Sequence, residues 1–527
     1  MIFHSPFPDV SIPDVSFTSY VLRYAERLAE KPALIDGATG RAYTYGQIAS
    51  AVRKVAHGLT VRGFGKGDVL ALYSPNLPEY VIPFLAAAML GGMTTTINPL
   101  YTVDELTFQL NDAGAKFLFT VPAFVEKALA GQQRSSVQEV FSFGEAEGTT
   151  SFAALLENDG SVPTAAINVR EDVVALPYSS GTTGLAKGVM LTHHNLVANL
   201  CQWEPTGMVT EQDTAIAVLP FYHIYGLTVI LSLGLASGAT IVSLPRFDLV
   251  QFLQTIQNYH VSVGYVAPPI LLALTKHPVV DEYDLSSLRV NLSAAAPLGK
   301  DVQEAAAARL KCAVIQAWGM TETSPLATIS PLEPSRQKAG SAGVCVSNTE
   351  CKIVDITTGA ELEPNQEGEV CVRGPQVMKG YLNNPKATAD MLEAGGWLHT
   401  GDIGYFDADG YLYIVDRLKE LIKYKGMQVA PAELEAILLT HPAVADVAVI
   451  PRPDEEAGEI PKACIVLRPD MSVSSDELMA YVAGRVAPHK KIRRVEFIEQ
   501  VPKSASGKIL RRVLIERERA SMADESS

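Results

Sequence analysis

"YSSGTTGLAKGVMLTHHN", residues Tyr178 to Asn195, gathers five Ser/Thr hydroxyls, three glycines and one lysine between two apolar segments. A triphosphatase loop needs G-x-x-x-x-G-K-[ST]. Here Ala186 precedes Lys187 and Gly188 follows it, so that pattern fails. The ingredients still suit phosphate: hydroxyls and glycine amides donate hydrogen bonds, glycine lets the backbone approach closely, and lysine supplies a point charge. Gly/Ser/Thr clusters are usually plain surface turns, so the rest of the chain has to decide.

Outward from this loop, helical and strand patterns alternate. Val21, Tyr24, Ala25 and Leu28 share one helical face, followed by the strand "ALI" at 33–35. "TYGQ" at 44–47 is a capping box whose apolar stripe continues through Ile48, Val52, Val55 and Leu59. The strand "VLALYS" at 69–74, the helix "LPEYVIPFLAAAML" and the strand "TTTINP" continue the series. Such alternation implies α/β layering with largely parallel sheets. The texture changes near residue 416. Before it, "GWLHTGDIGYFDADGYLYIVDR" reads as short strands with Asp-Gly turns. After it come a helix from about Ala432, the strands "VADVAVI" and "ACIVLRP", a helix capped by Ser474 with Glu477, and a basic tail. The reading is a large multi-layer N-terminal α/β domain over 1–416 and a small α+β domain over 417–527. "DRLKELIKYKG" holds no proline or glycine before Gly426, so the junction reads as a defined hinge rather than a floppy linker.

Composition narrows the function. A chain of 527 residues exceeds one core, and 47% hydrophobic with 19% charged residues describes an ordered protein. A formal net charge of −15 argues against nucleic acid and anionic membrane as partners. The exception is Lys490 to Arg519, with ten Lys/Arg against four Asp/Glu, which reads as a solvated face or as a basic patch for a polyanionic small molecule. Six cysteines without a C-x-x-C pair fit reduced thiols rather than disulfides or zinc. The uncharged run between Asp213 and Arg246 is interrupted by Pro220, Gly226, Gly234, Gly238 and Pro245, so it reads as a buried helix and strand and not a membrane span. The N-terminus lacks a basic leader pattern and "DESS" is no peroxisomal address, so the expected compartment is the cytoplasm.

Four further segments make the loop intelligible: "AWGMTETSP" at 317–325, "HTGD" ending at Asp402, "DRLKELIKYKG" at 416–426 and "PKSASGKILRR" ending at Arg512. With "SSGTTGLAKG", in this order and spacing, they resemble the adenylate-forming superfamily of acyl-CoA synthetases, luciferases and adenylation domains. "PFYHIYGL", "SAAAPLGK" and "KELIKYKGMQVAPAELE" resemble its 4-coumarate–CoA ligase branch.

The resemblance implies an ATP- and Mg²⁺-dependent acid–thiol ligase that uses coenzyme A. It places Ser179, Ser180, Gly181, Thr182, Thr183, Gly184 and Lys187 on the β- and γ-phosphates of ATP. It places Glu322 on Mg²⁺, Thr321 on the α-phosphate, Asp402 on the ribose hydroxyls and Arg417 on the ribose and phosphate side. Ala295, Ala296, Gln316, Ala317 and Trp318 would form the adenine slot, Trp318 standing at the family's usual tyrosine position. His223, Tyr225, Tyr265, Ala294, Gly319, Met320, Pro325 and Leu326 would line the acyl site. The alanines at 294–296, where many relatives carry glycines, would favour slim acyl groups. Lys508 matches the lysine that reaches from the small domain to the carboxylate and α-phosphate. Lys419 matches the hinge, and Lys423, Lys425, Gly426 and Gln428 match positions serving the second half-reaction or the CoA phosphates.

The expected substrate is a hydroxycinnamate-type aryl acid, with a medium- or long-chain fatty acid as the alternative. A luciferase-like oxygenase and a catalytically silent nucleotide-binding protein are the remaining readings. Intact Lys187, Glu322, Asp402 and Lys508 argue against silence. No fused carrier domain is expected.

Overall fold

The computed structural model describes residues 1–179, 186–425, 427–454, 456–504 and 507–525. Val69–Tyr73 lies near the middle of a nine-stranded sheet, parallel to Met93–Ile97 on one side and Ala115–Thr120 on the other. All five of its residues are buried, as expected of a parallel strand covered on both faces. A second nine-stranded sheet has a parallel centre of Val290–Ser293, Val263–Val266, Thr214–Ala217 and Thr240–Ser243, with Ala313–Gly319 beside them.

One core joins the two sheets. The helix Val81–Met89 is apolar all round, with Val81, Ile82, Phe84 and Leu85 fully buried, and it packs in the cluster that includes Leu70, Leu72, Ile216 and Leu292. Truncating one such side chain, as in Phe84→Ala, costs about 3–5 kcal/mol because transfer energy and a cavity term add. Tyr45–Val61 begins with the capping box of Thr44 and Gln47 and buries Ile48, Val52, Val55 and Leu59. A third, antiparallel sheet contains Ile2–His4, Glu350–Val354, Gly368–Arg373, Leu398–Phe406 and Leu412–Arg417.

The chain from Ile422 onward builds a fourth sheet, in which Val444–Asp454 and Gly458–Leu467 pair over ten residues. Its core of Ile422, Val429, Leu434, Leu438, Val447, Ile465 and Leu478 contains no residue from before 422. Contact with the rest of the molecule includes Ile403 packed against Leu421 and Ala430.

Two expectations are modified. The first helix covers only Phe17–Val21, and residues 22–30 run on as turns. Their backbone bonds alternate between three- and four-residue spacing (Ala25 N to Leu22 O, Leu28 N to Tyr24 O), so no continuous α-helical ladder forms. The basic run after Lys490 is partly neutralised within the fold: Lys490 pairs with Glu433, Lys503 with Asp446, Arg511 with Glu435 and Arg517 with Glu496. The uncharged run forms the buried helical segments Tyr225–Ser232 and Leu233–Ala236 and the strand Thr240–Ser243. Among the described residues no helix is long and apolar enough to cross a membrane.

Candidate active site

At the opening loop, Tyr178–Ser179 pairs antiparallel with Lys187–Thr192, so Ser179 lies opposite Lys187. The short strand Gly380–Tyr381 pairs on the other side, Tyr381 opposite Val189. Alternation along a strand puts Lys187 and Val189 on one face, with Tyr381 diagonal to Lys187. The Lys187 ammonium sits 4.2 Å from the centre of the Tyr381 ring. Glu322, 4% exposed, enters from the short helix Thr321–Thr323, and its Oε1 accepts from Ser179 Oγ at 3.0 Å and from the Tyr381 hydroxyl at 2.7 Å. No donor reaches its Oε2 among the described residues. Ser180, Gly181, Thr182, Thr183 and Gly184, assigned to the same grip, lie outside the described residues, as does Gly426.

A second polar node lies at the end of the third sheet. Asp402 and Arg417 are cross-strand partners, with Arg417 Nε 3.2 Å from Asp402 Oδ1. The Trp318 indole N–H donates to Asp402 Oδ2 at 2.8 Å. Burial raises the Asp402 pKa, opposed by the Arg417 charge and the Trp318 bond. Trp318 therefore holds the carboxylate by its edge, a role its placement in the adenine slot does not include. Gln316, on the same strand, gives its amide to Leu298 O and to Gln303 Oε1 at 2.8 Å, so it braces the strand. Ala317 pairs with Ile329 across the antiparallel edge. Gly319 has no room for a side chain, because a Cβ there would lie 1.7 Å from Pro325 O.

The acyl-site candidates gather on the second sheet. Tyr225 and Tyr265 meet edge to face at 6.3 Å between ring centres, and the Tyr225 hydroxyl donates to Leu292 O. The fully buried Tyr265 hydroxyl has no hydrogen-bond partner among the described residues. His223 Nδ1 accepts from Tyr225 N–H at 3.3 Å, which leaves the imidazole proton on Nε2. Burial and the charge of Lys508 lower its pKa to about 4, so the ring is neutral at pH 7. Ala294, Ala295 and Ala296 follow Val290–Ser293; Ala295 is exposed and holds φ +74°, an uncommon conformation for alanine. Met320 N donates to Pro325 O, and Leu326 is buried at the start of the next strand.

Lys508 reaches this region from the small domain. Gly507 carries φ +84°, and a Cβ there would meet Ala267 at 3.1 Å and Pro269 at 3.4 Å, which places the segment against the large domain. Lys508 N donates to Ser504 Oγ, and Ser504 N to Lys508 O, closing a tight loop. Burial first, then the Arg417 charge, lowers the Lys508 pKa to about 8, with Glu420 and Asp402 opposing.

Behind the loop, Arg511 Nη2 lies 2.9 Å from Glu435 Oε2, and its Nε lies 3.5 Å from Glu420 Oε2. Asp416 accepts from Ala432 N and Arg417 N. Burial raises Asp416 to about 6 and Glu435 to about 7. Lys419 sits in the turn formed where Glu420 N and Leu421 N both donate to Arg417 O. Lys423 and Gln428 face each other on an exposed hairpin, while Lys425 is held by Glu456. No hydrogen bond connects Lys423, Lys425 or Gln428 to Glu322 or Asp402. Sequence reasoning missed Tyr381, the indole bond to Asp402 and the Arg511 node.

Lys187, Glu322, Asp402 and Arg417 stand on the large domain, and Lys508 approaches from the small one. The chain belongs to the AMP-binding enzyme family, which it matches over residues 21–382, with the AMP-binding enzyme C-terminal domain over 433–508. It is 45% identical over 524 residues to 4-coumarate–CoA ligase 1 of Petroselinum crispum, covering 98% of this chain and 96% of that one. It is 46% identical to 4-coumarate–CoA ligase 5 of Oryza sativa subsp. japonica, covering 97% and 96%. Among solved structures, the anthranilate CoA ligase AuaEII in complex with anthranoyl-AMP superposes with a TM-score of 0.90 at 27% identity, covering 98% and 99%. ATP-bound MatB from Rhodopseudomonas palustris gives 0.87 at 28% identity, covering 95% and 99%.

Proposed function

We propose that this protein is an ATP-dependent acid–thiol ligase that converts a hydroxycinnamate-type aryl acid to its CoA thioester. A carboxylate is a poor electrophile, and a thiol does not displace its oxygen directly. In the first half-reaction a carboxylate oxygen attacks the α-phosphorus of ATP and pyrophosphate leaves with the bonding pair. In the second the CoA sulfur, having lost its proton, attacks the acyl carbon and AMP leaves.

The chain's own groups serve these steps by position and charge. Lys187 meets the leaving pyrophosphate. Asp402 accepts the ribose hydroxyls, oriented by Trp318 and Arg417. Lys508 faces the charge that develops between carboxylate and α-phosphate. Neutral His223, with its proton on Nε2, borders the acid as a donor and not as a cation. Glu322 fits a hard divalent cation, because its Oε1 is fixed by two hydroxyls while Oε2 meets no donor among the described residues. Mg²⁺ there would supply neutralisation of phosphate charge. After adenylation the small domain would turn about Lys419, withdrawing Lys508 and bringing the Lys423–Gln428 hairpin towards the site.

The observation that best supports this reading is Lys508, whose segment packs from the small domain against Ala267 and Pro269 and whose charge is felt by His223 and feels Arg417 and Asp402. The aryl preference rests on the two 4-coumarate–CoA ligases that match nearly end to end. Acid-dependent exchange of labelled pyrophosphate into ATP tests it, run across cinnamates, benzoates and fatty acids. Exchange greatest with a hydroxycinnamate is expected; exchange greatest with a fatty acid would overturn the substrate, and none with any acid would overturn the chemistry.

A further inference from the structure

Tyr381 is a residue to which the reaction above gives no part, yet it touches two of the groups that carry it. It is 3% exposed, donates to Glu322 Oε1 at 2.7 Å, and lies under the Lys187 ammonium at 4.2 Å. Its neighbour Lys379 N donates to Met190 O and Met378 N to Glu322 O, so the backbone before it is tied to both the loop strand and the Glu322 turn.

The physical problem this solves is specific. A lysine and a carboxylate facing one cleft would close on each other as an ion pair, and the space for phosphate and cation would be lost. Lys187 and Glu322 form no ion pair here. The Tyr381 ring gives the ammonium an alternative seat through a cation–π contact, and its hydroxyl holds the carboxylate by one oxygen. Lys187 is left free to move onto an incoming phosphate.

We infer that Tyr381 is a positioning residue that keeps the divalent-cation carboxylate Glu322 and the phosphate cation Lys187 apart and aimed at the same nucleotide. The inference rests on the roles proposed above for Glu322 and Lys187. Groups that orient a metal-binding side chain typically change metal affinity by about 10–100-fold when removed. Tyr381→Phe keeps the ring under Lys187 and deletes only the bond to Glu322. Tyr381→Leu deletes both.

The test is equilibrium binding on the full chain. Free Mn²⁺ is read by its electron paramagnetic resonance signal in the presence of α,β-methylene-ATP, and metal-free nucleotide affinity is read by calorimetry. Tyr381→Phe should weaken Mn²⁺ binding about tenfold, with unchanged metal-free nucleotide affinity and an unchanged melting temperature. Tyr381→Leu should weaken both affinities. Glu322→Gln is the control: if it weakens Mn²⁺ binding and Tyr381→Phe does not, the positioning role is refuted while the site reading stands. If Glu322→Gln also leaves Mn²⁺ binding intact, the site reading falls and this inference with it. A Tyr381→Phe protein that melts lower and loses both affinities equally shows a merely structural tyrosine and refutes the role. Should Tyr381→Leu not fold, Tyr381→Phe alone decides.

Discussion

Replacing Lys508 by Met should make the protein more stable and far less active. The side chain is half-buried, and burial with the Arg417 charge brings its pKa from 10.5 to about 8. That difference corresponds to roughly 3 kcal/mol of opposition to the charged form. Solvent still reaches the segment, so screening leaves about 1–2 kcal/mol. The sign follows from proton counting. Below pH 8 folding carries the full cost of the buried ammonium. Between pH 8 and 10.5 the folded lysine binds fewer protons than the unfolded one, so wild-type stability gains as pH rises. Lys508→Met should therefore melt higher at pH 7, by a few degrees, with the advantage gone by about pH 10.5. Its loss of charge should lower pyrophosphate exchange about 10²–10³-fold, while a supplied acyl-adenylate reacts with CoA at nearly the wild-type rate. In the wild type, exchange at limiting substrate should fall as pH rises through about 8. Calorimetry across pH, pyrophosphate exchange and single-turnover thioester formation read the three effects. A lower melting temperature at pH 7, or equal slowing of both half-reactions, would refute the reasoning.

Ala295→Gly should stabilise the fold by roughly 0.5–1 kcal/mol, since Ala295 is exposed and holds φ +74°, a conformation glycine adopts without strain; an unchanged or lower melting temperature contradicts this. Ala294→Gly, at a half-buried position packed on the core, should raise kcat/KM for bulkier cinnamates relative to small ones, by up to roughly tenfold. Equal effects on all acids would remove Ala294 from the pocket. Burial lowers His399, but its hydrogen bonds with Glu369 and Glu393 outweigh that and hold its pKa above the usual 6.5. That stability is present below pH 6.5 and lost as pH rises through the folded value. His399→Gln should therefore destabilise more at pH 6 than at pH 8, and a pH-independent difference in melting temperature would refute the ion pair.

What the sequence made legible was local or patterned. The Thr44–Gln47 and Ser474–Glu477 capping boxes form as read, because each needs only residues three apart. Val69–Tyr73 is a buried parallel strand, as its unbroken apolar run implies. The turn-rich course of residues 22–30 was not legible, since apolar spacing marks which face is buried but not whether a ladder closes. The site divides the same way. Lys187, Glu322, Asp402 and Lys508 announce themselves inside motifs. Tyr381 and Glu322 are 59 positions apart, and Trp318 and Asp402 are 84 apart; only the packing of separate elements brings each pair together. Glu420, Glu435 and Asp416 are spread over twenty positions and meet Arg511 only once the small domain is folded.

On the proposed function, one chain couples ATP cleavage to thioester formation on an aryl acid. Incubating the full-length protein with ATP, Mg²⁺, CoA and 4-coumarate, and measuring nucleotides and acyl-CoA by mass spectrometry, tests it most directly. AMP and 4-coumaroyl-CoA should form in equal amounts, and faster than the thioester of a medium-chain fatty acid. ADP in place of AMP, AMP without thioester, or a faster fatty acyl product would contradict it.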